Sequence, residues 1–542
     1  YYPAAEGIAT CQVCHGVEDP DAPGTLVPSV AAVAHGYHSS VESWKDPVEE
    51  IVPHVTYPTY MNNCSVCHEP PDNLLAANSL AIDAAGCFSC HGSIEGIPFP
   101  DDATTTLHAN ATVNTDCATG CHAANGIASD FLTVSDVHNG ATTERGGVIV
   151  DGVDTSVTEG EKFVWEITGV ADDGTNLAIT WQASYDGTGV DPCNDTVGAT
   201  APVFHAGDGS LRIYRSYAQG DDFIIGADTG GPGQPARADV TTENTVCAGN
   251  VATTTIPVEA IDADKGRLVL GGKPLVVNPA DAADTMGARV PTPTFDWLVG
   301  VGGKALDRRT VVDTSLCLQC HVGSLYQHGG DRVDNVDMCL VCHNSASNEQ
   351  SVRVGLGVDA SEAYDGKVGE TFEMKTMLHR IHTAGMEGSP PYLVYRNRGI
   401  YAFAPDRTGL PNWPGEGPQV VFGSDFGPDG TPGDAVINHN FHAPTYPRGE
   451  YDCAACHPAD FASVIPDQTE AMATTTGAGN EACEPGTDCD WSDQLDDTLQ
   501  GAGTTACTTC HKDGATKGHA YQNSWEPQVF PEGRKTIIDS VN

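Results

Sequence analysis

Cys317-Leu-Gln-Cys320-His321 and Cys339-Leu-Val-Cys342-His343 state one five-residue pattern twice in a short run of chain. The same Cys-x-x-Cys-His pattern recurs at Cys11, Cys14 and His15, at Cys64, Cys67 and His68, and at Cys87, Cys90 and His91. It returns at Cys453, Cys456 and His457 and at Cys507, Cys510 and His511. An eighth site, Cys117-Ala-Thr-Gly-Cys121-His122, has one extra residue between its cysteines. The spacing has a chemical reason. Two thioethers must reach the two vinyl groups on one edge of a haem, and the next residue, His, then lies under the iron and ligates it. One such pattern alone also suits a redox dithiol or half a zinc site. Zinc, however, does not need His directly after every cysteine pair. Repetition at eight sites selects covalently bound haem c, and the longer loop at Cys117–Cys121 can bulge outward with both thioethers in reach.

The motifs leave Cys193, Cys247, Cys483 and Cys489 out of 20 cysteines. Haem is attached covalently outside the cytoplasm, so the expectation is an exported chain whose signal peptide has been removed ahead of Tyr1, and disulfides are allowed. Cys193 and Cys247 read as a structural disulfide. Cys483 and Cys489 bracket Glu-Pro-Gly-Thr-Asp with no His after them, which suits a short-loop disulfide, structural or redox-active. The chain has 26 basic and 73 acidic residues, a formal charge of −47. That excludes nucleic acid, whose phosphates require Lys and Arg, and argues against an anionic membrane surface. No run approaches the ~18 apolar residues of a membrane span. The acidity reads as solubility in high salt or as attraction for cationic metals and basic partners. Asp425, Asp429 and Asp434 lie in a Gly/Pro loop that could take Ca²⁺, although the pattern matches no known calcium loop.

The motifs divide the chain into three. Residues 1–140 carry four, residues 141–310 none, and residues 311–542 four more. The middle part shows short apolar alternations at Gly147–Val150, Lys162–Thr168, Leu177–Trp181, Leu211–Tyr214, Thr253–Val258 and Arg267–Leu270, separated by Gly, Asp, Asn and Pro. This predicts an all-β domain, a sandwich or small barrel. Its one His, His205, reads as a surface or turn residue. About one porphyrin per ~35 residues leaves too little polypeptide for a separate apolar core. The flanking parts are therefore expected to be haem-packed cassettes of short helices and loops, with the haems themselves as the core.

Of 20 histidines, eight follow the cysteine pairs. With His205 set aside, eleven remain as candidate distal ligands: His35, His38, His54, His108, His138, His328, His379, His382, His439, His442 and His519. All lie in the two motif-bearing parts, which favours bis-His iron. Six-coordinate iron of that kind passes electrons and offers no open position for substrate. His379-Arg-Ile-His382 and His35-Gly-Tyr-His38 share an i, i+3 spacing that would project two imidazoles from one helix face toward neighbouring haems. The two motif-bearing parts also echo each other. His54 precedes Tyr57-Pro58 and Cys64, while His439 and His442 precede Tyr446-Pro447 and Cys453. His138 follows the last motif of the first part as His519 follows that of the last. We read an internal duplication.

The last third resembles a known family. The resembling residues are Cys317–His321, His328-Gly-Gly-Asp-Arg332, Cys339–His343 with Asn344, Met377-Leu-His379-Arg-Ile-His382, and Tyr446-Pro447 before Cys453–His457. They resemble the OmcA/MtrC family of extracellular decahaem cytochromes of metal-respiring bacteria, with eight motifs here in place of ten. The resemblance implies a continuous chain of bis-His haems at the cell surface or outside it. It also implies electron delivery to minerals, metal ions, flavins or partner cytochromes. The expected function is non-enzymatic electron transfer, by a monomeric shuttle or by identical subunits joined in a cytochrome filament (a nanowire). The alternative is a multihaem reductase of a small nitrogen or sulfur oxyanion with one open haem site.

Overall fold

The computed structural model describes Ala34, most of residues 148–460, and the short pieces 473–475, 498–500, 505–506, 509 and 528–529. The motifs at Cys11, Cys64, Cys87, Cys117 and Cys507 lie outside the described residues. So do His35, His38, His54, His108, His138 and His519, the pair Cys483 and Cys489, and the loop of Asp425, Asp429 and Asp434. The chain divides into two compact units, one of residues 1–158, 278–286 and 321–323, the other of 159–277, 287–320 and 324–542. In the first, Ile149–Val150 pairs antiparallel with Val153–Asp154. No helix among the described residues is long and apolar enough to cross a membrane.

The second unit begins with two five-stranded antiparallel sheets. Their strands are β1 (Phe163–Asp172), β2 (Asn176–Tyr185), β3 (Thr188–Gly189), β4 (Arg212–Gln219), β5 (Phe223–Ile225), β6 (Ala236–Asp239), β7 (Thr245–Ala248), β8 (Val251–Pro257), β9 (Lys265–Gly271) and β10 (Thr294–Leu298). One sheet runs β1-β2-β8-β7 with β3 on β2; the other runs β10-β9-β4-β5 with β6 on β4. Strands occupy all six apolar stretches singled out in the sequence. Alternation explains the first sheet. On β2, Leu177, Ile179, Trp181, Ala183 and Tyr185 are buried, and their neighbours are only partly so, as a half-buried strand requires. Phe204 sits at the centre of this core, within 6.1 Å of Phe163, 6.0 Å of Trp165 and 5.8 Å of Trp181 between ring centroids. Hydrogen bonds tie the two sheets together: Trp297 Nε1 donates to Asp172 (3.3 Å), and Arg215 donates to the Pro257 carbonyl and to Glu259. Cys193 and Cys247, the latter on β7, are joined in a disulfide with Cα atoms 5.9 Å apart. His205 lies in a bend, and its Nε2 is shielded from solvent without a hydrogen-bond partner.

The second sheet is buried on both faces, and this positions the site. Registry puts Gly266 opposite Tyr217, Leu268 opposite Arg215 and Leu270 opposite Ile213 on one face. Gly266 has no room for a side chain there, because a Cβ would stand 2.0 Å from the Trp297 ring. The odd-numbered partners on β9, Arg267 and Val269, lie opposite Ser216 and Tyr214 on the other face. That face carries the motif helix Val336–Cys342.

Beyond Asp313 the chain makes short helices, as expected, but also a further sheet. Strands β13 (Tyr392–Arg396), β14 (Gly399–Phe403), β15 (Gly417–Val421) and β16 (Ala435–His442) run in the order β13-β14-β16-β15, with β14 and β16 parallel; a short hairpin described below supplies β11 and β12. This sheet buries Leu393, Tyr395, Ile400, Ala402 and Ile437 with Leu356, Val358, Ala363 and Leu410. The expectation that haems alone form the core of this part is therefore incomplete. The interval from His343 to Cys453 is the longest motif-free run in either flanking part. It holds enough apolar residues to build a core of its own, which an average over motifs conceals.

Candidate haem-binding site

Three motifs are described. The first opens with α1 (Thr314–Cys317), whose N-cap Asp313 accepts from Ser315 N. The second is α2 (Val336–Cys342), where Asn335 caps and accepts from Met338 N (3.3 Å). Cys339 and Cys342 are one turn apart and share a helix face. The third is a 3-10 turn, Cys453–Ala455. The second and third end alike: the motif His donates its backbone N–H to the carbonyl of the first cysteine, 2.8 Å for His343 to Cys339 and 2.9 Å for His457 to Cys453. That bond turns the chain so that the imidazole falls beside the cysteine pair.

The sandwich holds α2 firmly. Met338 and Val341 pack on Tyr214 and Val269, with Cys339 beside them. Each fully buried side chain of this kind contributes about 1.5–3 kcal/mol. Ser216 Oγ donates to the Val341 carbonyl (3.0 Å), and Arg267 Nη1 reaches Asp337 (3.1 Å) while its Nε and Nη2 pair with Asp296. The same sandwich anchors a hairpin of β11 (Tyr326–Gln327) and β12 (Arg332–Val333), with His328 in its turn. Thr292 and Val333 exchange hydrogen bonds, and Asn335 Nδ2 donates to the Thr292 carbonyl.

These two elements bring two imidazoles together. The rings of His328 and His343 have centroids 5.9 Å apart. A second pair arises from α3 (Met374–His382), capped by Glu373, which accepts from Thr376 N and Lys375 N. On it, the His379 ring lies 6.3 Å from that of His457. Centroids about 6 Å apart lie within the range of ordinary ring contacts, and the same spacing accommodates one metal atom between the two imidazoles, with metal–nitrogen bonds of about 2 Å each. Each pair joins one motif His to one candidate distal His.

The electrostatics fit a ligand role. Burial pushes both His343 and His379 down to about 4, so both imidazoles are neutral, as a ligand must be. The Nδ1 of His343 donates to the Phe372 carbonyl (2.7 Å) and that of His457 to the Val311 carbonyl (2.8 Å). A carbonyl only accepts, so the tautomer is fixed and Nε2 is left as the lone-pair nitrogen. Burial drives the thiols the other way: Cys317 up to about 11 and Cys339 up to about 12. That is opposite to the low thiol pKa of a redox dithiol. None of the six described motif cysteines is in a disulfide. Among the described residues none of them falls in a three-ligand metal cluster; the one cluster found contains the disulfide Cys193–Cys247 with Asp191. The residues therefore fit covalently held haem better than zinc.

The motifs also lie close together. Asp313 N donates to the Cys456 carbonyl (3.2 Å), Cys456 raises the cost of ionising Cys317, and Cys317 raises that of Cys339. Cys320 follows α1 in the turn that leads to His321.

The other histidines of this part differ in their surroundings. His382, one turn after His379, donates Nδ1 to the Leu378 carbonyl (2.8 Å) and meets Tyr446 edge-on at 5.8 Å. His442 packs on Phe403 at 5.2 Å. His439 is fully buried, with Nε2 on the Tyr364 hydroxyl (3.0 Å) and Nδ1 on the Ile437 carbonyl (3.2 Å), and Trp413 against its ring. The carbonyls of Phe372 and Val311 were invisible in the sequence, because a backbone acceptor carries no residue signature.

The C-terminal residues 309–536 match the family model described as outer membrane cytochrome MtrC/MtrF-like, domains II/IV. The structure of MtrC from Shewanella baltica OS185 is 15% identical, with 70% of this chain and 57% of that one covered at a TM-score of 0.39. The structure of the outer membrane decaheme cytochrome OmcA is 14% identical, with 98% of this chain and 68% of that one covered at a TM-score of 0.50, a likeness of fold. This chain thus spans little more than half the length of the first of these. A search of the curated proteins finds no match. Residues 309–536, with their motif helices and the paired histidines they bring together, are thus similar to domains II/IV of the MtrC/MtrF-like outer membrane cytochromes, and the chain shares a likeness of fold with OmcA.

Proposed function

We propose that this protein transfers electrons at or beyond the cell surface through eight covalently bound c haems, each closed by two histidines. The observation that carries this reading is the pairing of His343 with His328 and of His457 with His379 across gaps of 5.9 and 6.3 Å. The family supports it, since its members are outer membrane cytochromes. When bound, haem supplies a reversible one-electron couple. The chain's own residues hold it and tune it. Cysteine pairs anchor the porphyrin edge, and carbonyls orient the motif imidazoles. The sandwich fixes both sides of the site at Cys339–His343. The closeness of the three motifs, with Asp313 N donating to the Cys456 carbonyl and Cys317 acting on Cys339, supports haems held near one another, as electron hopping would require. With every iron closed, the protein performs no bond chemistry and is not an enzyme. Acceptors are mineral surfaces, metal ions, flavins or other cytochromes, and identical subunits joined haem to haem would form a filament.

The test is a haem count by mass and pyridine haemochrome, followed by carbon monoxide addition to the dithionite-reduced protein. Eight haems and no high-spin carbonyl adduct are expected. One carbon monoxide per chain would favour a reductase with an open haem site. Far fewer than eight haems would overturn the reading. Electron microscopy of the secreted material distinguishes filaments from monomers.

A further inference from the structure

We infer that Arg332 raises the reduction potential of the haem held between His328 and His343 above the value the site would have without that charge. The inference rests on the proposed haem at this site and goes beyond it.

Arg332 stands on β12, just after the turn that carries His328. Its Nη1 donates to the His328 carbonyl (3.2 Å) and its Nη2 to the Tyr214 hydroxyl (2.9 Å), with the guanidinium 5.2 Å from the Tyr214 ring centre. Tyr214 is itself packed against Met338, Val341 and Cys339 of α2. The guanidinium is thereby locked between the distal ligand's backbone and the helix that carries the thioether cysteines. Its charge is felt at Cys339 and at His343, where it opposes protonation of the imidazole.

The other charges facing this site are Arg396, which lies over Phe372 at 4.6 Å, and Glu373, paired with Lys375 at 2.9 Å. At His379 the nearby charged and titratable groups include His457, Glu373, His382 and Lys375, and Arg380 is the next residue on the same helix. Reduction adds one electron, taken from a neighbouring haem, and lowers the site's charge by one, Fe(III) becoming Fe(II) with no bond broken. A fixed positive charge favours that reduced form.

The test is a mediated spectropotentiometric reduction of the full-length holoprotein, wild type against Arg332→Gln and Arg332→Lys, with low-spin electron paramagnetic resonance at each potential. Arg332→Gln should move one of eight haem components to lower potential, a change of about tenfold in its ferric-to-ferrous ratio at fixed potential, or about 59 mV for one electron. Arg332→Lys, which keeps the charge and loses the two-pronged bonding, should stay near wild type. Equal shifts in both variants would mean that the hydrogen bonds to His328 and Tyr214 act and the charge does not, which overturns the inference. No shift in Arg332→Gln, with eight low-spin haems intact, also overturns it. A missing or high-spin haem in the wild type would instead sink the proposed bis-His site itself.

Discussion

Replacing His379 by Ala should open one iron, and replacing His439 by Ala should open none. Both residues precede Cys453, His439 fully buried and His379 half-buried, so composition does not separate them. The structure does. The His379 ring stands 6.3 Å from that of His457, whereas both ring nitrogens of His439 already serve Tyr364 and Ile437. In His379→Ala the thioethers and His457 remain, so the haem stays attached but loses its sixth ligand. The expected signal is one carbon monoxide bound per chain after reduction, about one-eighth of the total haem, with a matching high-spin feature in the ferric spectrum. In His439→Ala the spectrum should stay low-spin. The cost there is stability: a buried histidine and two hydrogen bonds are lost and the Tyr364 hydroxyl is stranded, about 1–3 kcal/mol for the unsatisfied group. Carbon monoxide titration and a chemical unfolding curve on both variants measure the contrast. Carbon monoxide binding to His439→Ala, or none to His379→Ala, would refute the ligand pairing.

Other consequences can be checked independently. Arg353 is fully buried and bonded to Glu349 (3.0 and 2.5 Å) and Asp365 (2.6 and 2.8 Å), so Arg353→Met should cost about 3–5 kcal/mol in urea unfolding. A loss within ±0.5 kcal/mol would show that the pair is not buried as described. Burial pushes the Glu349 carboxyl from 4.5 up to about 7. A group raised on folding stabilises fully below its unfolded value and loses that contribution as pH rises through the folded one. Between pH about 4.5 and 7 the wild type should therefore lose up to about 3 kcal/mol relative to Glu349→Gln; the opposite slope would reverse the assignment. Reducing Cys193–Cys247, which closes a loop 54 residues apart in sequence, should cost up to about 4 kcal/mol, read as a lower midpoint of sandwich unfolding under reductant. Gly266→Val should disrupt the sandwich, because even a Cβ would stand 2.0 Å from the Trp297 ring; a variant as stable as wild type would refute the tight approach of β9 to β10.

The cysteine pairs and the histidines that follow them were legible because their chemistry is local. Two thioethers and a proximal ligand fit into five consecutive residues, whatever surrounds them. The strands of the sandwich were legible for a similar reason, since period-two alternation on β2 records a half-buried surface in the chain itself. The sheet β13–β16 was not, because its apolar residues sit in a long interval that the motif count averages away. The candidate distal ligands belong to the same class of missing information. His328, His379, His382, His439 and His442 are the same residue type in the same part of the chain, and what distinguishes them is what stands opposite. His343 meets a histidine delivered by a hairpin stitched to Thr292, and His457 meets one delivered by a helix capped at Glu373. Bond-forming spacing can be written into a short sequence; a gap of one metal atom between residues far apart in the chain exists only once packing has closed around it.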